Sequence, residues 1–355
     1  MTPLGQLIAA QIAATGPITV ADYMADCLLH PLHGYYASRE PFGTKGDFIT
    51  APEISQMFGE LIGLALAQVW LDQGSPARFT LAEIGPGRGT LMADVLRATA
   101  GVPGFRDAAQ VHLVEASARL RESQAKVVGP AVWHDSVATL PSAPLFLIAN
   151  EFFDALPIRQ FVRAAEGWRE RLIGLEAGQL VWGLSAVTAP GALSDRLSDT
   201  KDGDMVEICP SLSPITTELC GRIGQFGGVA LIIDYGDWRS QGDTLQAVQD
   251  HTPTTLLAAP GRADLSAHVD FEAIAACTTG IPGVRHTRLT PQGVFLERLG
   301  ITARANRLAA QLTGASLDAH TLAHRRLTHP SEMGHLFKII GLYPETAMSP
   351  PGFEQ

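Results

Sequence analysis

The sequence is poor in cysteine. Four cysteines occur among 355 residues, far apart and with no Cys-x-x-Cys spacing: Cys27, Cys209, Cys220 and Cys277. A zinc site or a disulfide framework needs cysteines in closely spaced or paired sets, so neither is predicted. We therefore expect reduced core cysteines and no bound metal.

Positive charge is also scarce. Lys plus Arg number 26 against 36 Asp plus Glu, which gives a formal net charge of −10 at pH 7. Because phosphate backbones attract basic surfaces, this balance disfavours sequence-independent binding to DNA or RNA. No nucleic-acid partner is expected, and a cationic partner suits the chain better.

Long apolar runs and a basic leader are missing as well. The first helix-like stretch, Leu4 to Ala14, contains no Lys or Arg. Secretory signals have a charged start and an apolar centre, transit peptides are rich in arginine, and membrane-spanning helices need about 20 apolar residues. We therefore expect no membrane insertion and a cytoplasmic protein.

What the sequence has in quantity is apolar side chains to bury. Hydrophobic residues make up 46% of the chain, enough for one large domain with elaborations or for two domains. Residues 1–78 are mostly helical in pattern. Thr19 and Asp22 have capping-box spacing, which predicts a helix that begins there and ends near Pro31. A second helix is predicted from Ile54 to Leu71.

From residue 79 the pattern changes to strands that alternate with helices, which is typical of a parallel sheet with helices on both faces. The predicted strands are Phe79–Ile84, Val111–Val114, a short third strand before His134, Leu145–Ala149, Val229–Ile233, Val284–Leu289 and Gly334–Ile340. The separation of the last strands by helices permits a final antiparallel strand. Residues 254–269 are predicted as a loop.

Three further β-rich runs lie inside this alternating pattern: Ile158–Val162, Trp168–Leu175 and Gln179–Val187. Glycine-containing turns separate them, which predicts an antiparallel β meander. The sequence thus predicts an α/β fold with a Rossmann-like sheet. We expect a helical extension and ligand lid at residues 1–78, and a core at 79–355 with a β-rich insertion at about 156–208.

The stretch of residues 81–97 organises the predicted core. A short apolar run ends at Gly85, Gly87 and Gly89, and a helical pattern follows, which predicts a strand, a tight turn and a helix. Such a turn presents backbone N–H groups and the positive end of a helix to a ligand. The dinucleotide fingerprint Gly-x-Gly-x-x-Gly would need a glycine at Thr90, so a less anionic ligand than NAD is favoured. A turn used only for close packing is the alternative.

Acidic and polar residues follow the next two strands. Glu115 stands at the carboxyl end of the second strand, where it could accept hydrogen bonds from ribose hydroxyls. An exposed carboxylate at the start of a helix is the alternative. Asp135 and Ser136 follow the third strand and could meet an adenine, although a turn or cap explains Asp135 equally well.

The fourth strand runs directly into a polar cluster. Asn150, Glu151 and Asp154 follow it, at the edge of the sheet where ligands bind in open α/β folds. We interpret these residues as the substrate side of a site. The alternative is a polar helix start beside a phenylalanine pair.

A glycine-containing loop precedes the second predicted helix. It includes Gly46, Asp47, Thr50, Pro52 and Glu53. Thr50 and Glu53 have capping-box spacing and Pro52 suits a first helical turn, which explains Glu53 without a ligand. Long irregular loops are often functional, so a lid over the ligand is the other reading.

His268 lies near the end of the predicted loop at 254–269 and Asp270 directly follows that loop, and both could reach the site. Asp270 is a natural N-cap for the helix predicted after it, and we favour that structural role. His268 has the alternative of an ordinary loop histidine.

Four segments, taken together and in order, resemble the MidA family. They are GDFITAPEISQ (46–56), GPGRGTL (85–91), NEFFDALP (150–157) and AHVDF (267–271). The resemblance extends over residues 17–341. MidA proteins are class I methyltransferases that depend on S-adenosylmethionine, and they include a mitochondrial complex I assembly factor that methylates an arginine of a complex I subunit. Ala51 departs from the serine that is more frequent in the family.

The resemblance implies a class I methyltransferase fold that binds S-adenosylmethionine. The residues implied in cofactor binding are Gly46, Asp47, Thr50, Pro52, Glu53, Gly85, Pro86, Gly87, Gly89, Thr90, Glu115, Asp135, Ser136 and Asn150. Gly46 to Glu53 would cover the methionine end, Glu115 would bind the ribose, and Asp135 with Ser136 would face the adenine.

The resemblance also implies a protein arginine as methyl acceptor, in a complex I subunit. Glu151 and Asp154 would clamp the guanidinium, with Asn150 and His268 as further catalytic residues. Two alternatives stay open, a non-catalytic assembly chaperone that binds the cofactor and an NAD(P) oxidoreductase. A homodimer is also left open.

Overall fold

The computed structural model describes residues 1–38 and 50–354. The helices are α1 (Pro3–Thr15), α2 (Val20–Leu29), α3 (Tyr35–Ser38), α4 (Ala51–Ile54), α5 (Gln56–Asp72), α6 (Thr90–Thr99), α7 (Phe105–Ala108), α8 (Ala118–Val128), α9 (Leu212–Phe226), α10 (Phe271–Ala276), α11 (Gln292–Arg298), α12 (Ile301–Ala309), α13 (Ala315–Thr328) and α14 (Met333–Leu336). Short 3₁₀ helices cover Val137–Thr139, Gly191–Leu193 and Asp195–Leu197.

The strands are β1 (Ile18–Thr19), β2 (Phe79–Ile84), β3 (Ala109–Val114), β4 (Val132–His134), β5 (Leu145–Asn150), β6 (Arg159–Ala164), β7 (Gly167–Glu176), β8 (Gln179–Thr188), β9 (Met205–Ile208), β10 (Gly228–Asp237), β11 (Gln246–Gln249), β12 (Thr252–Thr254), β13 (Asp264–Ser266), β14 (Val269–Asp270), β15 (Val284–His286), β16 (Thr290–Pro291) and β17 (Phe337–Pro344).

The chain forms two compact units. The meander unit comprises Met1–Phe48, Asp154–Ser213 and Arg239–Asp270, and the sheet unit comprises Ile49–Phe153, Pro214–Trp238 and Phe271–Gln355. This division does not follow the boundary expected near residue 78. Apolar side chains explain the difference, because Ile8 of α1 and Met24 of α2 share one core with Ile173 of β7.

The sheet unit contains the predicted α/β core. Its strand order is β15-β17-β10-β5-β2-β3-β4, with β16 paired beside β17. The strands from β10 to β4 are parallel, and β17 runs antiparallel to both of its neighbours in this order, β10 and β15. Strands β2 and β5 are buried along their whole length, as central parallel strands covered by helices should be. In chain order the strands lie 3-2-1-4-5-7-6, which confirms the class I fold and its antiparallel last strand.

Helix α5 packs so closely on α6 that side chains are excluded between them. A Cβ added at Gly63 would lie 2.9 Å from the Cα of Val95, and one at Gly59 would lie 2.5 Å from the Cβ of Asp94. Protein interiors do not tolerate such approaches without backbone movement. The two glycines therefore fix the position of α6, the helix that begins at the glycine turn.

The predicted meander forms the main sheet of the meander unit. Strands β6, β7 and β8 pair antiparallel in chain order, close to their predicted bounds. Sequence patterns did not predict β9 beside β6, β1 beside β7, or the small sheet β12-β11-β13, part of which occupies the expected loop at 254–269. These strands have two to four residues, too few to show an alternating pattern.

The capping box predicted at the start of α2 is confirmed. The Asp22 backbone N donates to Thr19 Oγ1 at 3.0 Å, and the Thr19 backbone N donates to Asp22 Oδ2 at 3.1 Å. Two backbone donors at the helix start are thereby satisfied, which is worth about 1 kcal/mol. Local sequence alone was sufficient to predict this helix start.

The structure also bears on membranes and metals. Within residues 1–38 and 50–354, no helix combines the length and the apolar character needed to cross a bilayer. Over the same part of the chain, no group of three or more His, Cys, Asp or Glu side chains is placed to hold a metal ion.

Candidate active site

Two neighbouring strands, β2 and β5, mark a reversal in the strand order of the sheet unit. Strands β3 and β4 lie on one side of β2, and β5 and β10 lie on the other side. In open α/β sheets such a reversal leaves a crevice at the carboxyl ends of the strands, where ligands bind. The glycine turn follows β2, and Asn150 closes β5. The structure thus brings together two of the segments predicted to form a site.

The glycine turn has a backbone that other residues rarely adopt. The φ angle is +64° at Gly85, +51° at Gly87 and +85° at Gly89. The Pro86 carbonyl accepts a hydrogen bond from the Gly89 N at 2.7 Å, which closes the turn. A Cβ at Gly85 would lie 3.0 Å from Cδ2 of Phe152, so the turn lies against the segment after β5. Helix α6 begins directly behind it and offers its positive end to an anionic group.

Glu53 is tied to the start of α6. Its Oε1 accepts a hydrogen bond from Thr90 Oγ1 at 2.6 Å, and its Oε2 lies 3.9 Å from Nη1 of Arg88. The prediction of a capping box between Thr50 and Glu53 is wrong, because Thr50 makes no side-chain cap hydrogen bond to α4. Pro52 does lie in the first turn of that helix, as predicted. Glu53 therefore contacts the glycine turn and the start of α6 instead of capping its own helix.

The chain leaves β5 through a strained turn. Glu151 has a φ of +52°, a left-handed conformation that is costly for a residue other than glycine. Its Oε1 accepts hydrogen bonds from the Ala51 backbone N and from Asn150 Nδ2, both at 3.2 Å. Fully buried Asp234 of β10 secures the turn, since its Oδ2 accepts from the backbone N of Phe152 at 3.1 Å and of the next residue at 3.0 Å. Strain at a site edge is typical of functional residues.

Two buried acceptor atoms in this region have no hydrogen-bond partner in the described protein. They are Oδ1 of Asn150 on β5 and Oε2 of Glu83 on β2. Burial raises the pKa of the Glu83 carboxyl to about 8, and a hydrogen bond from the Met92 backbone opposes this rise. Buried acceptors are almost always paired, so these two atoms favour a ligand with N–H donors.

Glu115 directly follows β3 and is held from two sides. Its Oε1 accepts from the Ser117 backbone N at 2.8 Å, and its Oε2 accepts from Gln124 Nε2 at 3.2 Å. Burial raises the pKa of Glu115, while these two donors and the charge of Arg121 oppose the rise. The carboxylate is therefore fixed in orientation at the edge of the sheet.

Asp135 and Ser136 follow β4 and have structural contacts. The Asp135 side chain is 87% exposed and pairs with Arg121. Ser136 caps a short 3₁₀ helix, with its Oγ accepting from the Ala138 backbone N at 3.3 Å. A role for these two residues at an adenine stays a prediction.

Asp154 and His268 belong to the meander unit, whereas Asn150 and Glu151 belong to the sheet unit. Within the meander unit, the Asp154 carbonyl accepts a hydrogen bond from the Ala267 N at 2.9 Å, next to His268. The exposed His268 donates its backbone N to Thr244 Oγ1 at 2.8 Å.

Three residues named in the sequence analysis remain. Gly46 and Asp47 lie outside the described residues. Asp270 directly precedes α10, and its Oδ2 accepts from the Ser240 backbone N at 3.0 Å.

Comparison with known proteins bears on the kind of ligand. The model of a family of S-adenosyl-L-methionine-dependent methyltransferases matches residues 61–290, which include the glycine turn, Glu115 and the Asn150 segment. The chain belongs to this family. The cofactor is therefore S-adenosylmethionine, and the match gives no support to an NAD(P) oxidoreductase.

Named relatives and a solved structure agree with this assignment. The mitochondrial protein arginine methyltransferase NDUFAF7 of Rattus norvegicus is 36% identical, over 97% of this chain and 85% of its own length. The mitochondrial homologue of Drosophila melanogaster is 34% identical, over 96% and 85%. A Burkholderia thailandensis protein crystallised with S-adenosyl-homocysteine is 28% identical and has a TM-score of 0.84, over 98% of this chain and 93% of its own.

The Rattus norvegicus and Drosophila melanogaster relatives overturn the expected cytoplasmic location, because both are named as mitochondrial. The expectation rested on the composition of the first helix-like stretch. That composition governs how α1 folds and packs and does not determine a compartment.

The residues of the candidate site suit the cofactor chemically. S-adenosylmethionine carries a sulfonium and an ammonium, both cationic, and one carboxylate. The unpartnered acceptors of Glu83 and Asn150 match ammonium donors, and the start of α6 matches the carboxylate. Positive φ at the glycines keeps the turn free of side chains where a ligand would approach.

Sequence patterns missed three residues that shape this site. Glu83 and Asp234 are acidic residues in otherwise strongly apolar strands. An acid in such a strand could have been recognised from the sequence. Gln124 gave no signal, because a glutamine on an amphipathic helix normally faces solvent. Only its complete burial in the structure marks it.

Proposed function

We propose that this protein transfers the methyl group of S-adenosylmethionine to an arginine side chain of a protein, in a respiratory complex I subunit. Support for the arginine comes from the relatives of 34–36% identity, which are named protein arginine methyltransferases. Support for the complex I subunit comes from the resemblance of the four sequence segments to the MidA family. The observation that carries the proposal is the Asn150–Glu151 pair at the carboxyl edge of β5, beside the glycine turn.

The cofactor supplies an electrophilic methyl group on sulfur. The protein must position a nucleophile in line with that group and stabilise the charges present. In our proposal the glycine turn holds the methionine end, with Gly85, Pro86, Gly87, Gly89 and Thr90 as its residues. Thr50, Pro52 and Glu53 form its other wall. Glu115 accepts the ribose hydroxyls, and Asp135 and Ser136 face the adenine.

The acceptor side of the proposed site is Asn150 and Glu151. A guanidinium is protonated before transfer and must release one N–H proton as the N–CH₃ bond forms and the S–CH₃ bond breaks, so it requires carboxylates that fix its plane, balance its charge and can accept that proton. Glu151 is suited to this because the Ala51 N and the Asn150 amide hold its carboxylate in one orientation. Asp154 and His268 are proposed as further substrate-side residues on the strength of the family resemblance.

Glu151→Gln tests the proposed role of Glu151. The amide keeps the size of the side chain and removes its charge, so affinity for S-adenosylhomocysteine should stay within about threefold while methyl transfer falls at least about 100-fold. Calorimetry and a transfer assay with labelled cofactor measure the two effects. Exposed Glu122 on α8 provides a matched control, and Glu122→Gln should change neither.

An unchanged rate of methyl transfer by Glu151→Gln would refute the proposal that Glu151 holds the acceptor guanidinium. If the wild-type protein binds S-adenosylhomocysteine but transfers no methyl group to any complex I subunit, the proposed acceptor is wrong. Transfer to no protein at all would favour the chaperone alternative. Neither the family match nor the relatives' names give that alternative support.

A further inference from the structure

Gln124 of α8 connects three segments of the site and is fully buried. Its Nε2 donates to the Gly87 carbonyl at 2.8 Å and to Glu115 Oε2 at 3.2 Å. Its Oε1 accepts from Trp133 Nε1 of β4 at 2.8 Å. The glycine turn, the acid after β3 and the edge strand β4 thus meet at one amide.

The orientation of the Gln124 amide is fixed by chemistry. An indole nitrogen can only donate, so the oxygen of the amide must face Trp133. The NH₂ group then has to face Gly87 and Glu115, which are both acceptors. Without an amide between them, the Gly87 carbonyl and the Glu115 carboxylate would present lone pairs to the same buried space, an arrangement that costs free energy.

The backbones of α8 and the glycine turn lie too close together for Gln124 to adopt a different position. A Cβ at Gly89 would lie 3.5 Å from the Cα of Gln124, so α8 packs directly against the glycine turn. On its other oxygen, Glu115 is held by the Ser117 N at 2.8 Å. Gln124 therefore provides the link by which the position of the turn and the orientation of the Glu115 carboxylate depend on each other.

We propose that Gln124 is a positioning residue for the cofactor: it holds the glycine turn and the Glu115 carboxylate in the relative placement that S-adenosylmethionine needs. This inference rests on the proposed role of Glu115 at the ribose. Gln124 acts through its two neighbours, and its loss weakens cofactor binding even when the fold persists.

Calorimetric titration with S-adenosylhomocysteine tests the proposal. Gln124→Met keeps most of the volume and removes both donors, so affinity should fall about tenfold or more. Gln124→Glu keeps an acceptor for Trp133, removes the donors and adds a charge beside Glu115, so its loss should be at least as large. Trp133→Phe leaves the donors in place and should cost less than about threefold.

Gln292 of α11 offers a matched control, since it is also fully buried and donates its Nε2 to the Leu327 carbonyl at 2.9 Å. Gln292→Met removes this donor together with an Oε1 that has no partner among the described residues, and it should leave affinity for S-adenosylhomocysteine unchanged whatever its effect on thermal stability. An equal loss of affinity in both variants would overturn the proposal, because general destabilisation would then explain it.

A double-mutant cycle with Glu115→Ala separates positioning from direct binding. If Gln124 acts through Glu115, Gln124→Met should cost at most about threefold in the Glu115→Ala background, against about tenfold alone. The same tenfold cost in both backgrounds would overturn the coupling between Gln124 and Glu115 on which the proposal rests. Should Gln124→Met fail to fold by circular dichroism, Gln124→Glu takes its place in the cycle.

The same binding measurements distinguish an error in the proposed function from an error in the role of Gln124. Wild-type protein that does not bind S-adenosylhomocysteine would contradict the proposed function itself. Normal binding by Glu115→Ala would contradict the ribose role of Glu115. Normal binding by Gln124→Met and Gln124→Glu, with a loss in Glu115→Ala, would contradict only the positioning role of Gln124.

Discussion

Glu83 shows how a single buried residue can couple the site to pH. Its carboxyl lies on β2 just before the glycine turn and is 3% exposed, and burial raises its pKa from 4.5 to about 8. The folded protein therefore holds this proton more tightly than the unfolded chain does. The resulting contribution to stability is fully present below pH 4.5 and is lost as the pH rises through about 8.

Glu83→Gln should remove this pH dependence, because an amide stays neutral at every pH. Between pH 5 and 8 the wild-type protein should lose up to about 1.4 kcal/mol of unfolding free energy per pH unit from this group. Urea unfolding at several pH values measures both proteins. The stability of Glu83→Gln relative to wild type should rise with pH, since other acids with raised pKa values, such as Glu115 and Glu207, are common to both. A constant difference would show that Glu83 is already ionised in the folded state.

Single residues were predictable from sequence where their partners are local. The capping box of Thr19 and Asp22 forms between groups three residues apart on the same helix start, so it needs no distant partner. Thr50 and Glu53 have the same spacing, yet Glu53 pairs with Thr90, which lies 37 residues away. Spacing in sequence could not reveal that competing partner, because the fold brings it into reach.

At the scale of elements, the close packing of α5 on α6 predicts how a substitution at Gly63 changes stability. Gly63→Ala should destabilise the protein by about 1–3 kcal/mol, because its Cβ would lie 2.9 Å from the backbone of α6. Urea unfolding gives the free energy. Affinity for S-adenosylhomocysteine should fall as well, since a shifted α6 displaces the glycine turn at its start.

Gly221 on α9 is the matched control. It lies in a helix, and no atom lies within 4 Å of an added Cβ. Gly221→Ala should therefore stabilise the protein by about 0.5–1 kcal/mol through helix propensity alone. If both variants change stability in the same direction, the packing argument for Gly63 is wrong.

Elements were predictable where a pattern had enough length. The bounds of β2 coincide with the prediction, because an apolar run ends at a glycine turn, and the three meander strands are separated by clear turn residues. The short strands β1 and β9 were not predictable, since each owes its pairing to a strand distant in sequence. Such pairing depends on the tertiary fold more than on local preference.

For the whole molecule, composition and fold point to a cationic ligand. The chain carries a net charge of −10, and the sheet unit places Glu53, Glu115 and Glu151 on the segments that meet the glycine turn or neighbour it in the sheet. Both the sulfonium cofactor and an arginine side chain are positively charged. Composition alone permitted many such ligands, and only the ordered motifs and the family match selected S-adenosylmethionine.

The most direct test of the account is to locate the transferred methyl group. The purified protein should be incubated with S-adenosylmethionine carrying a deuterated methyl group and with isolated complex I subunits, followed by peptide mass spectrometry. The account predicts the label on an arginine side chain of one subunit, and its absence with Glu151→Gln. A label on another residue type, or no label from protein that binds S-adenosylhomocysteine, would contradict it.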